Sequence, residues 1–182
     1  MIRKMLAVGV VAVLGGMVVA ADLKSGPQSG EKVPGPFHPL NINGEKAGQK
    51  NCLFCSNGDN PVAVVFARNA DDPALKKLIA ALDTATDKNA KAEMGSFVVY
   101  LSAEDTLEAK LKAQVSDAKY KKIVLSIESP EGPSKYNIAK DADVTVLLYR
   151  ERVVAANYAF AKGKLTEDDV TKIVADVAKI VK

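Results

Sequence analysis

Two cysteines and one histidine are the residues of this sequence whose chemistry is easiest to name. Cys52 and Cys55 are the only cysteines, and His38 is the only histidine, among the 182 residues. The C-x-x-C spacing holds two sulfurs within reach of each other, so the pair can form a bridge or cycle between dithiol and disulfide. With His38 as a third ligand and Asp59 as a fourth, the pair could also bind copper or zinc. Ser56 follows Cys55, so the C-x-x-C-H pattern of covalent haem is incomplete, and no cofactor is expected.

The amino terminus predicts where this chemistry takes place. Basic residues near the start precede an apolar run over residues 6–19, which ends in small residues. This three-part pattern is typical of a secretory signal peptide, here residues 1–21, with cleavage after Ala20 or Ala21. We therefore expect an extracytoplasmic protein, periplasmic or secreted, with no stable membrane span after cleavage. In such an oxidising compartment the two cysteines favour one intramolecular disulfide.

The charge of the remaining chain excludes one class of partner. Acidic and basic residues occur in nearly equal numbers once the basic start is removed, and they are interspersed along the chain. Such a surface lacks the clustered basic patch that binding to nucleic acid requires. The partner that the predicted export suggests is another exported protein, and no oligomeric state is predicted.

A buried strand and the helix after it form the centre of the predicted fold. The run Val62–Ala67 is unbroken apolar and β-branched, which suits a strand buried on both faces of a sheet. Asp71 or Asp72 can then cap a helix that has Pro73 at its first position. The inward stripe of this helix is spaced at i, i+3, i+4 and i+7 and consists of Leu75, Leu78, Ile79 and Leu82.

The rest of the chain repeats this alternation. Residues 22–35 are polar and rich in Gly, Pro and Ser, which predicts a flexible leader, and residues 36–182 form one domain. Further strands are predicted over residues 97–101, 123–127, 144–149 and 153–158, and further helices after Ser102, around 134–138 and after Thr166. The order predicts an α/β fold in three layers: a mostly parallel central sheet with an antiparallel edge, and helices on both faces.

Three loose motifs resemble the thioredoxin-like superfamily, in its branch of peroxiredoxins and extracytoplasmic thiol–disulfide proteins. Phe37, Leu40 and Gly44 approximate the hairpin with which that branch begins. The sequence Lys-Tyr-Asn-Ile at 135–138 resembles its Tyr-Gly-Val turn, and Leu-Thr-Glu-Asp at 165–168 resembles the start of its last helix. The resemblance implies a thioredoxin-like three-layer sandwich. It also implies a catalytic cysteine at the start of the first long helix and a cis-proline before a late strand.

The family's functional residues are missing from those places. Residues 68–74, which enter the first long helix, contain no cysteine, and no proline follows Pro133. The surviving pair, Cys52 and Cys55, lies in a loop before the central strand, with no helix start beside it. A parallel sheet places its sites at the carboxyl ends of its strands, about 20 Å away along a six-residue strand.

A disulfide that pins this loop is therefore the favoured interpretation. We expect an exported, non-catalytic domain of this fold, used for binding or structure. Two alternatives stay open: a thiol–disulfide oxidoreductase that uses Cys52 and Cys55, and a metal carrier that uses the pair with His38. Arg68, after the central strand, is expected to pair with Asp71 or Asp72, with anion binding as the alternative.

Overall fold

A computed structural model describes residues 23–181 of the chain, so the predicted signal peptide lies outside the described residues. Six strands are present: β1 Leu40–Asn41, β2 Val62–Ala67, β3 Gly95–Leu101, β4 Val124–Glu128, β5 Val144–Arg150 and β6 Val153–Phe160. The α-helices are α1 Leu53–Asn57, α2 Pro73–Lys88, α3 Leu107–Ala118 and α4 Glu167–Asp176. Short 3-10 turns cover Ala90–Ala92, Ser134–Tyr136 and Val177–Lys179. Between residues 23 and 181, no helix has the length and apolar character needed to cross a membrane.

The sheet is mixed, with the order β1-β4-β3-β2-β5-β6. β2, β3 and β4 are parallel, while β5 runs antiparallel to β2, β6 to β5, and β1 to β4. The α/β class is confirmed, but the antiparallel part extends to the direct neighbour of the central strand and is more than an edge. The reason is the connection over residues 129–143, which stays at the carboxyl end of the parallel strands, so that β5 must run back.

The three long helices lie on one face of the sheet, where their apolar stripes form a core with alternate residues of the strands. Two right-handed crossovers, through α2 and α3, step in the same direction across the sheet and so place both helices on one side. Helices do lie on both faces, as predicted, but the helical elements on the second face are short. The second face is covered by α1, the turn Ser134–Tyr136 and the chain around Val33 and Phe37.

α2 begins as the sequence pattern predicted, with Asp72 as its cap. One carboxylate oxygen of Asp72 accepts hydrogen bonds from the N–H groups of Ala74 (2.8 Å) and Leu75 (3.2 Å). The four stripe residues are fully buried: Leu75, Leu78, Ile79 and Leu82. The start of α3 was predicted wrongly, because the Ser102 hydroxyl accepts from the Glu104 N–H in a turn and the helix starts only at Leu107.

The segment predicted as a flexible leader is held against the domain in the structure. We call residues 25–33 the N-terminal strap. Gly30 N–H donates to the Val154 carbonyl (2.8 Å), and Val33 N–H donates to the Arg152 carbonyl (2.8 Å), so the strap covers the outer edge of β6. Ser25 is 1% exposed, and its hydroxyl shares a 2.7 Å hydrogen bond with that of Thr145.

The composition of the strap has a conformational cause. Gly26 and Gly30 have φ of +73° and +87°, a region that other residues rarely adopt. Glycine is therefore needed for the turns of an ordered segment. Covering an open strand edge and burying Val33 (6% exposed) are the gains that hold the strap in place.

Candidate functional site

Cys52 and Cys55 form a disulfide at the start of α1. Cys52 is the cap residue of this helix, and its Sγ accepts a hydrogen bond from the Cys55 N–H at 3.1 Å. The prediction that the pair lies in a loop with no helix start is therefore wrong. A helix of five residues is too short to show an apolar period, so the sequence pattern could not reveal it.

Aromatic contacts and a close approach to Gly95 hold α1 in place. Phe54 is 6% exposed, and its ring centroid lies 6.5 Å from the ring centroid of Tyr149. The guanidinium carbon of Arg152 lies 5.4 Å from the centroid of the Phe54 ring. The Asn57 amide donates to the Leu53 carbonyl (2.7 Å). The same Asn57 side chain lies directly over Gly95, where a Cβ would come within 1.8 Å of its Oδ1. The contacts of Phe54 with Tyr149 and of Asn57 with Gly95 fix α1 against the sheet without using the disulfide.

The two sulfur-bearing residues differ in their access to solvent. Cys52 is 6% exposed and belongs to the apolar cluster on the second face of the sheet. Cys55 is exposed. A reagent in solution therefore meets the bridge from the Cys55 side.

The metal alternative finds no assembled site in the structure. His38 is exposed, and the pairing of Leu40 with Lys50 brings its segment alongside the chain that leads into Cys52. Asp59, the fourth candidate ligand, instead forms a 2.9 Å ion pair with Arg152. Over residues 23–181, no three His, Cys, Asp or Glu side chains are grouped so that they could hold a metal ion.

Arg68 follows β2 directly, at the beginning of the segment 68–74 in which the resemblance implied a catalytic cysteine. Its guanidinium donates to three main-chain carbonyls of the connection over residues 129–143: Pro130 (2.6 Å), Ala142 (3.1 Å) and Ala139 (3.3 Å). The predicted pairing of Arg68 with Asp71 or Asp72 is therefore wrong.

The two aspartates have other partners. Asp71 forms a 2.9 Å ion pair with Lys110, and Asp72 caps α2. Main-chain carbonyls carry no sequence signal, which is why the true partners of Arg68 could not be predicted.

Asp143 stands where the family's cis-proline was expected. It is 8% exposed, one of its carboxylate oxygens (Oδ2) has no hydrogen-bond partner, and no peptide bond between residues 23 and 181 is cis. Burial raises the pKa of Asp143 above its usual range, and the nearby Asp72 carboxylate raises it further. Nothing in the sequence distinguished this aspartate from the exposed ones around it.

Comparison with known proteins places this geometry among solved structures. No protein-family model matches the sequence, and no curated protein matches it. A solution structure from Bacteroides thetaiotaomicron, described as a protein disulfide isomerase, has a TM-score of 0.64 at 14% identity, over 87% of this chain and 94% of that one. A thiol:disulfide interchange protein DsbE structure from Chlorobium tepidum has a TM-score of 0.62 at 13% identity, over 88% of this chain and 100% of that one.

A third match has a different name and the same architecture. The 2-Cys peroxiredoxin of Plasmodium vivax has a TM-score of 0.60 at 18% identity, over 84% of this chain and 83% of that one. At sequence identities this low, the structural similarity shows a shared fold and does not show a shared function. The chain has the thioredoxin-like fold, as its element order and loose motifs had indicated.

Proposed function

We propose that this protein is an exported thiol–disulfide exchange protein that works through Cys52 and Cys55. The observation that carries the proposal is the asymmetry of the pair: an exposed Cys55 is bridged to a buried Cys52 whose sulfur already accepts a main-chain hydrogen bond. Exchange needs an accessible sulfur to be attacked and a stabilised sulfur to leave. The names of the Bacteroides and Chlorobium neighbours support the same class of chemistry.

The energetics argue against a purely structural bridge. Closing a ring of four residues removes little conformational entropy from the unfolded chain, so this disulfide stabilises the fold by only about 1–2 kcal/mol. Leu53 and Phe54 are buried against the sheet, and the Asn57 side chain lies over Gly95 of β3, so α1 is held through contacts that do not involve sulfur. The reduced protein can therefore keep its shape, which a protein that cycles between two redox states requires.

The reduction potential of the pair tests the proposal. We expect a midpoint between about −120 and −270 mV, the range of exchange catalysts, when the protein is equilibrated in glutathione buffers and its free thiols are trapped and counted. A variant with both Cys52→Ser and Cys55→Ser sets the background. A midpoint below about −300 mV, typical of structural bridges, would contradict exchange.

A non-catalytic role is the second candidate, and Arg68 favours it. The segment over residues 68–74, where the resemblance implies a catalytic cysteine, contains none, and three of the five N–H donors of Arg68 are bonded to main-chain carbonyls. On that account the domain binds an exported partner and the bridge is structural. The potential of the bridge separates the two candidates.

Export belongs to both candidates. It is supported by the basic start, the apolar run and the small residues before position 22. A disulfide between the only two cysteines is consistent with an oxidising compartment.

A further inference from the structure

We propose that exchange at this pair has a fixed order: an incoming thiolate attacks Cys55 Sγ, and Cys52 Sγ is the sulfur that leaves. This inference rests on the proposed function, and it specifies which of the two cysteines forms the mixed disulfide with the substrate. The substrate it implies is a dithiol peptide or protein that becomes oxidised.

Access decides which sulfur is attacked. A thiolate displaces sulfur along the line of the bond that breaks, so it must approach its target from the side opposite the leaving sulfur. Cys52 is only 6% exposed and belongs to the apolar cluster that also contains Phe37, Leu53 and Phe54, so little of it is open to an approaching thiolate. Cys55 is exposed and is followed by the exposed Ser56, so a substrate can reach it from solvent.

The hydrogen bond decides which sulfur leaves. In the bridged state the Cys55 N–H already donates to Cys52 Sγ at 3.1 Å. A hydrogen bond to the charged form stabilises a thiolate, and a more stable thiolate is the faster leaving group. Charge that develops on Cys52 thus meets a donor already in position, whereas the opposite order would need attack on the buried sulfur.

The chemical steps balance with a dithiol as the only co-reactant. The first substrate thiolate forms a bond to Cys55 Sγ, the bond between Cys55 and Cys52 breaks, and its electron pair remains on Cys52 Sγ. The second substrate thiolate then attacks the substrate sulfur of the mixed disulfide, and Cys55 Sγ leaves as a thiolate. The substrate gains a disulfide, and the protein pair gains two electrons and takes up the two protons that the substrate thiols release.

Adduct mapping on the unmutated protein tests the order. The oxidised protein is mixed with a peptide that contains a single cysteine, quenched in acid within seconds, alkylated and digested. We expect the peptide on Cys55 and the alkyl group on Cys52. Peptide on Cys52, or equally on both, overturns the order while exchange itself stands. No adduct at either cysteine overturns the order and the exchange function together.

Single variants give a second and independent measurement. Cys52→Ser leaves the exposed thiol and Cys55→Ser leaves the buried one, and circular dichroism confirms that each variant is folded. With an aromatic disulfide reagent, we expect Cys52→Ser to react at least tenfold faster than Cys55→Ser at the same pH. Equal rates, or the reverse ranking, would show that the burial of Cys52 does not govern access.

Discussion

One guanidinium group holds the loop that starts β5. Arg68 lies at the end of the central strand, and its three hydrogen bonds to Pro130, Ala139 and Ala142 leave the loop with fewer unpaired carbonyls. Buried or half-buried carbonyls without a partner cost free energy, so the arginine has a structural role that needs no ligand.

Asp143 predicts a pH dependence of stability. Because burial and the Asp72 carboxylate raise its pKa in the folded protein, the charged form is disfavoured there, and the ionised group lowers stability at neutral pH. Asp143→Asn keeps the size of the side chain and removes the charge. We expect this variant to have a higher free energy of unfolding than the unmutated protein at pH 7.

This gain should shrink as the pH falls through the raised pKa. Below the ordinary aspartate value of 3.8 the carboxyl is protonated in both the folded and the unfolded chain, so the difference should vanish. Denaturant titrations at several pH values measure it, with the exposed Asp141→Asn on the same loop as a control. A gain that is the same at every pH would show that the carboxylate is not the cause.

At the scale of the elements, the start of α2 offers a matched pair of aspartates. Asp72 satisfies two N–H groups of the first turn, so Asp72→Ala should lower the free energy of unfolding by about 1 kcal/mol. Asp71→Ala removes only an exposed ion pair with Lys110 and should change stability little. Chemical denaturation of both variants checks this. Equal losses would mean that the cap is not the source of the effect.

The elements that the sequence predicted well are those with long apolar patterns. β2 and the buried stripe of α2 are clear because each apolar position faces the core. α1 was missed because it has only five residues, and its position depends on distant groups such as Tyr149 and Gly95. The cysteines of the candidate site could therefore be identified from the sequence, but their local geometry could not.

At the scale of the whole molecule, the alternation of strands and helices was enough to predict an α/β sandwich. It was not enough to assign the layers, because the side on which a helix packs depends on the direction in which consecutive crossovers step across the sheet. The sequence also contained no sign that the strap is ordered, because its polar composition is typical of a linker. Its order comes from partners on β5 and β6, more than a hundred residues away in sequence.

The proposed export predicts where the mature chain begins. We expect it to begin at Ala21 or Asp22, so that the strap remains on the protein and Ser25 lies close to the new amino terminus. Mass spectrometry of the natively expressed protein measures the terminus directly. An intact Met1 on protein recovered from the cytoplasm would contradict export.

The strap also sets an order of events during synthesis. Ser25 meets Thr145 across 120 residues of sequence, and contacts of such separation form late because a long loop must close first. The amino terminus leaves the ribosome first, but its partner strand emerges only when most of the chain has been made. Until then β6 is absent and the sheet is incomplete. The proposed export would benefit from this delay, because a chain that has not completed its fold can still pass through an export channel.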